Sequence, residues 1–196
     1  MILLLPGLAS SQIVWEDAGG FPDETTFTEN MHGVAVDAEG KVWLSPFYSS
    51  AWLDPASGDA DGNALSTRAL HVYNADGTMA MEPIRTVTVD GVTDTLWNSA
   101  RGLRADQNGD ILHVDGGGTM WRFNHLTGEG MNKAEVADGS ATQPAVADDG
   151  TIFTANVVHV QPIKMWDADF NFIGNAVDSA RGFSRGFDVS GDGNTI

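Results

Sequence analysis

A chain of 196 residues that is 42% hydrophobic can bury one sizeable core, which excludes a disordered polymer. A formal charge of −17, from 27 Asp+Glu against 10 Lys+Arg, excludes the basic footprint that a phosphate backbone requires, so no nucleic-acid partner is expected. The absence of cysteine removes disulfides and thiolate metal sites, and no apolar run reaches the roughly 18 residues needed to span a bilayer.

In chain order, the sequence begins Met1-Ile-Leu-Leu-Leu-Pro-Gly-Leu-Ala-Ser-Ser-Gln12. A short apolar run followed by small residues resembles the end of a secretory signal, although a basic n-region is missing; a strand is the other reading. Residues 1–11 are therefore expected to be the remnant of a signal, and the protein to be secreted, periplasmic or held at the cell surface. Residues 12–30 form a lead-in, in which Gln12–Glu16 could supply an outer strand that closes a ring.

From residue 31 onward one phrase recurs four times. The copies are His32-Gly-Val-Ala-Val-Asp37-Ala-Glu-Gly40-Lys-Val-Trp-Leu44, Arg101-Gly-Leu-Arg-Ala-Asp106-Gln-Asn-Gly109-Asp-Ile-Leu-His113, Gln143-Pro-Ala-Val-Ala-Asp148-Asp-Gly150-Thr-Ile-Phe-Thr154 and Arg185-Gly-Phe-Asp-Val-Ser190-Gly-Asp-Gly193-Asn-Thr-Ile196. Each is a β-rich run, a turn with Asp and Gly, and a second β-rich run, which predicts a hairpin of strands A and B. A second phrase follows the first three copies and ends a strand C on an aromatic: Tyr73-Asn74, Phe123-Asn124 and Trp166-Asp167. A fourth strand D should follow, such as Ile84–Val89.

The spacing fixes the unit. Asp106 to Asp148 is 42 residues and Asp148 to Ser190 again 42, whereas Asp37 to Asp106 is 69. Most of the excess falls between strands B and C of the first unit and the rest after its strand C. Four-stranded units of about 40–45 residues predict an all-β fold, a β-propeller of four-stranded blades. On this reading residues 31–196 hold blades 1–3 and the start of blade 4, with an insertion at about 47–68 in the B–C loop of blade 1. A ring of six blades is expected, of which about three and a half are present. The missing C-terminal blades would then be partners within the same chain, and residues 12–196 alone would be marginal in stability.

The phrase Gly33-Val-Ala-Val-Asp-Ala-Glu-Gly-Lys-Val-Trp43 resembles the NHL-type and gluconolactonase/strictosidine-synthase-like propellers, and Phe187–Ile196 resembles a YVTN-type repeat. The resemblance implies that strand A lines a central channel and that the D–A and B–C loops share the ligand face. Repeat alignment then brings His32, Arg101, Gln143 and Arg185 together near the channel mouth. They could clamp a carboxylate or carbonyl, or hold the ring together through bonds to neighbouring-blade carbonyls. Tyr48 and Trp52 of the insertion, and His159 of a B–C loop, would complete a ligand site for a small molecule, glycan or protein.

The same resemblance implies, as an alternative, a calcium-assisted hydrolase, lactonase or lyase. Asp115 and Asn156 could ligate Ca²⁺ through oxygen, but His32 stands where the lactonase-like pattern places Glu, and no cofactor is required by the sequence. Asp115-Gly-Gly-Gly118 lacks the Gly-Lys-Ser/Thr of a phosphate loop and reads as a tight turn. Asp59, Asp61 and Asn63 imitate the opening of a calcium loop without its Gly and Glu. The five histidines show no metal spacing, and no Gly-x-Ser-x-Gly elbow is present.

Overall fold

The computed structural model describes residues 17, 19–23, 31–47, 67–180 and 184–196. The expected signal remnant, most of the lead-in and residues 48–66 of the insertion lie outside them. Every regular element among the described residues is a β-strand. Strands β1 (Met31–Val36), β2 (Val42–Pro46), β3 (Leu70–Tyr73) and β4 (Met79–Ile84) pair in sequential order as one antiparallel sheet. A second sheet holds β7 (Ala100–Ala105), β8 (Ile111–Asp115), β9 (Thr119–Phe123) and β10 (Gly130–Glu135). A third holds β11 (Ala145–Val146), β12 (Ile152–Thr154), β13 (Gln161–Trp166) and β14 (Phe172–Ala180). These are strands A to D of three blades.

The hairpin β5 (Thr86–Val89) and β6 (Val92–Thr95) stands apart from the blades as a two-stranded sheet. It corrects the expectation for strand D of blade 1, which is Met79–Ile84 rather than Ile84–Val89. The hairpin also accounts for the extra residues after strand C. Its turn, Asp90-Gly91, has φ of 51° and 77°, the left-handed pair that a two-residue hairpin loop needs. Lys133 of β10 bonds Asp94 of β6 at 2.9 Å and fixes the hairpin against blade 2.

The repeated Asp closes the A–B turn in blades 1 and 2. Asp37 Oδ1 accepts from Glu39 N at 2.9 Å and Lys41 N at 2.8 Å, and Asp106 Oδ1 accepts from Asn108 N and Asp110 N at 2.8 and 3.1 Å. A short side chain that mimics the backbone can satisfy two donors that the turn leaves open. In blade 3 the place of that Asp belongs to Ala147 rather than Asp148: Gly150 N donates to Ala147 O at 2.9 Å, and Asp149 Oδ1 accepts from Thr151 N at 2.9 Å. The turns from 106 to 147 to 190 thus recur at 41 and 43 residues, which corrects the expectation of two equal steps of 42. In the fourth copy Ser190 substitutes: its Oγ accepts from Thr195 N at 3.0 Å, and Gly193 N still donates to Ser190 O at 2.8 Å. The Asp37 carboxylate has a second task, accepting the buried Trp43 Nε1–H at 2.9 Å.

The core lies between blades. Successive residues of a strand point to opposite faces. Ile111 therefore joins Trp43, Leu70, Val72, Leu103 and Phe123 in a cluster shared by blades 1 and 2. Its neighbour Leu112 joins Val114, Met120, Val136, Ile152 and Trp166 in a cluster shared by blades 2 and 3. A smaller group, Ala145, Ala147 and Phe153, meets Phe187 and Val189 of the fourth copy. Val87 and Leu96 of the hairpin region extend the first cluster.

Blade-to-blade approach also explains the glycines. A Cβ on Gly109 would lie 2.3 Å from Ala38 Cβ, one on Gly150 2.6 Å from Gln107 Nε2, and one on Gly191 2.4 Å from Asp148 Oδ2. The A–B turns of blade 2, blade 3 and the fourth copy thus rest directly on the turn of the preceding blade. Near the channel, a Cβ on Gly102 would meet Gln143 Cβ at 2.5 Å. The lead-in joins blade 1, where the Phe21 ring meets Tyr73 edge-on at 6.0 Å between centroids.

Candidate functional site

Register brings the start of each strand A to the end of its strand B. Met31 pairs Pro46, Ala100 pairs Asp115, and Ala141 bridges Asn156. The residues just before the strand-A glycines therefore share one face with the B–C turns. Arg101, from blade 2, is half-buried there. Its guanidinium carbon lies 4.8 Å from the ring centroid of Phe47 in blade 1, and its Nη2 donates to Ser140 Oγ at 2.9 Å, on the loop leading into blade 3. The His32 ring lies 5.1 Å from the same Phe47 ring. Three blades thus orient one cation at the mouth, through stacking on one side and a hydrogen bond on the other.

His32 and Gln143 also hold blades together, although register corrects the repeat alignment of Gln143: Ala141 bridges Asn156 as Ala100 pairs Asp115, so Thr142 stands in line with Arg101 and Gln143 in line with Gly102. The Nδ1–H tautomer of His32 donates to Ala100 O at 3.0 Å, and Gln143 Nε2 donates to Leu103 O at 2.8 Å. Each ties one strand A to the carbonyls of a neighbouring one. Arg185 is exposed in the fourth copy. His159 is exposed on the B–C turn of blade 3, with its imidazole carbon and Nε2 each 4.0 Å from a Cβ on Gly139, beside the Ser140 that holds Arg101. Tyr48 and Trp52 lie outside the described residues.

Asp115 and Asn156 occupy equivalent places and are buried, at 2% and 3% exposure. Asp115 Oδ1 accepts from Gly117 N at 2.9 Å and Thr119 N at 3.0 Å, and its Oδ2 accepts from Asn98 Nδ2 at 2.9 Å. Asn156 Oδ1 accepts from Val158 N at 2.8 Å and His159 N at 2.6 Å, while its Nδ2 donates to Asp138 O at 3.1 Å. Both residues thereby shape B–C turns. A metal taking either oxygen would compete with amide donors already aimed at it. Among the described residues no group of three or more His, Asp or Glu is placed to hold a metal ion.

Behind the mouth sits His113, fully buried on β8 and stacked on Trp121 at 5.7 Å. Burial pushes its imidazole down to about 4, against the opposing pull of Asp115 and a hydrogen bond to the Gly102 backbone. It is held neutral at pH 7.

Sequence reasoning missed Phe47, Ser140 and Asn98. Phe47 was counted with the insertion, although it directly follows strand B, the position that Gly116 and Val157 hold in the other blades. That register was a usable signal. Nothing in the repeat marks Ser140 or Asn98, because they stand on D–A connections outside the repeated phrases.

No protein-family model and no curated protein sequence matches the chain. Solved structures do match it by shape. Streptogramin B lyase, a β-propeller protein, aligns over 82% of this chain with a TM-score of 0.50 and 10% identity. The chain has a β-propeller fold. It spans less than half of that lyase, 44% of its length. The computationally designed Ika4 protein aligns over 87% of this propeller and 84% of its own chain, with a TM-score of 0.53 and 12% identity. At such identities the likeness concerns the fold alone. The propeller contains no helix among its described residues that is long and apolar enough to cross a membrane.

Proposed function

We propose that this propeller binds a small carboxylate-bearing ligand, a sugar acid or an acidic glycan, at the loop-face channel mouth. The observation that carries the reading is the orientation of Arg101 by Phe47 and Ser140, residues from two other parts of the ring. A guanidinium fixed in this way offers a planar fork to a carboxylate without the entropy cost of ordering a free side chain. His32 and Phe47 supply an aromatic flank. The apolar-to-small pattern of Met1–Ser11 supports export, which fractionation of the producing cells would test.

Glucuronate and galacturonate, with glucose and galactose as neutral controls, form the test by calorimetric titration. Binding of the acids, weakened about tenfold or more by Arg101→Met, is expected from the loss of a charge-assisted hydrogen bond. Equal affinity for acids and neutral sugars, or acid binding unchanged by Arg101→Met, would remove Arg101 from the site. A parallel arm with Ca²⁺ addresses Asp115 and Asn156, through a thermal shift that their alanine variants should lose if they are ligands.

A further inference from the structure

The B–C turn of blade 2, Asp115-Gly-Gly-Gly118, lies beside Arg101 and offers bare main chain where the other blades carry side chains. Phe47 and Val157 hold the place of Gly116 in blades 1 and 3. Gly118 serves the fold: its φ is 92°, and a Cβ there would collide with Ala137 O. Gly116 is under no such demand. A Cβ on it would meet Ser99 O at 3.5 Å and Arg101 Nε at 3.7 Å, which are ordinary contacts. A Cβ on Gly117, by contrast, would lie 2.5 Å from Asn98 Nδ2. Gly116 thus borders a guanidinium, and Gly117, one Cα step of about 3.8 Å further on, borders an amide. Asn98 and Gly117 are both exposed.

A buried acid holds Asn98 in one orientation. Asn98 Nδ2 donates to Asp115 Oδ2 at 2.9 Å, while Asp115 Oδ1 takes the Gly117 and Thr119 amides. A carboxylate offers acceptors only, so the amide turns its NH2 to Asp115 and carries its carbonyl Oδ1 on the opposite side. Among the described residues this arrangement occurs in blade 2. Blade 1 has Pro46 in the place of Asp115, and blade 3 has Asn156, which bonds the Asp138 carbonyl rather than a side chain. Blade 2 is also the blade of Arg101, whose Nη2 is fixed on Ser140. An oriented guanidinium and an oriented amide therefore stand at neighbouring places on a floor without side chains. Groups ordered before a ligand arrives cost less to engage than free ones.

We propose that Asn98 is a specificity-determining residue of the mouth, bonding a ligand hydroxyl close to the carboxylate that Arg101 takes. Asn98 in this role rests on the reading of Arg101 as the carboxylate anchor, and it tells a sugar acid from any other small acid of the same charge. A site built to bond a hydroxyl rejects the analogue without one, because its own polar group then loses water and gains no partner. One step of the floor between the two anchors places the hydroxyl and the carboxylate on the same ring.

Calorimetric titration of the full chain with glucuronate and with cyclohexanecarboxylate, a ring acid of the same charge that lacks hydroxyls, tests the assignment. Glucuronate is expected to bind about tenfold or more tightly than its hydroxyl-free counterpart. Asn98→Ala should bring glucuronate down to the level of cyclohexanecarboxylate and leave the latter where it was, whereas Arg101→Met should weaken both. Gly117→Ala, which drives a Cβ into the Asn98 amide, should act as Asn98→Ala does. The Asn98 side-chain NH2 resonances should move on titration with glucuronate and stay in place with cyclohexanecarboxylate. Equal binding of the two acids overturns the proposal and leaves Arg101 as a carboxylate anchor. A loss shared by both acids in Asn98→Ala also overturns it, since a general disturbance of the mouth acts in that way. Binding of neither acid removes the carboxylate reading and this assignment together. Should Gly117→Ala fail to fold, the split between the two acids in Asn98→Ala still decides.

Discussion

Blades 1 and 2 share a sequence phrase and a strand order, yet their inner strands live in different surroundings. In blade 2 the strand-A residue Leu103 is fully buried, and β8 and β9 are buried at every position. In blade 1 the equivalent Val34 is 60% exposed, and Val36 two residues on is 56% exposed. The A–B turns differ in the same way. Gly109 presses on Ala38 of the preceding blade, whereas Gly40 has nothing within 4 Å of its Cβ position. Blade 2 has a neighbour on both faces among the described residues. Burial in this fold is therefore conferred by the adjacent blade, and one phrase serves as core or as surface according to what packs on it.

The largest expected effect breaks blade 2 from within. Arg122 Nε and Asp106 Oδ2 meet at 2.9 Å with side chains 7% and 0% exposed. Asp106→Ala would leave Arg122 as a buried charge beneath Phe170, whose ring lies 4.8 Å from the guanidinium carbon. A loss of about 3–5 kcal/mol in urea unfolding is expected. Asp37→Ala in blade 1, which orphans a Trp indole rather than a cation, should cost less, about 1–3 kcal/mol.

The two glycines sharpen the comparison directly. Gly40 and Gly109 have nearly the same φ, +80° and +82°. Gly40→Ala should cost about 1–2 kcal/mol, the strain of a left-handed alanine. Gly109→Ala carries the same strain plus a clash with Ala38, which adds about 1–3 kcal/mol. Equal losses for the two variants, measured in urea, would show that the turn-on-turn contact contributes nothing.

Acid should act on blade 2 through His113. Its folded value of about 4 lies below the ordinary 6.5. As pH falls through 6.5 the unfolded chain takes up a proton that the folded chain refuses, so stability drops between pH 6.5 and 4 and levels off below. The drop is on the order of 3 kcal/mol. His113→Leu should flatten that part of the stability profile, and a slope unchanged by the substitution would reassign it to the carboxylates. The smallest effect belongs to the exposed Arg104–Asp188 pair, where Asp188→Asn should move stability by less than about 1 kcal/mol.

Much of the blade plan was legible because hairpin chemistry is local. Asp37 and Asp106, spaced from Gly40 and Gly109, carry their turn geometry in a few consecutive residues. Strand D of blade 1 was misplaced because Met79–Ile84 and Thr86–Val89 are both β-rich, and only packing assigns one to the blade and the other to a hairpin. The candidate site was half legible. Repeat alignment reached His32 and Arg101 but named Gln143 where the register places Thr142, and it did not tell which residue would be tied to a carbonyl and which would be stacked. That choice depends on Phe47, Ser140 and Leu103, which come from three separate parts of the chain.

The sequence by itself determined the hairpin of strands A and B, its turns and a repeat of roughly 40–45 residues, since each turn is written in residues close together along the chain. The tertiary structure alone decided where the core sits, why Gly109, Gly150 and Gly191 admit no side chain while Gly40 has room for one, and which arginine is oriented at the mouth and which is paired with the fourth copy. Those properties arise where one blade meets the next, and a repeat, being the same phrase each time, carries no record of its neighbour.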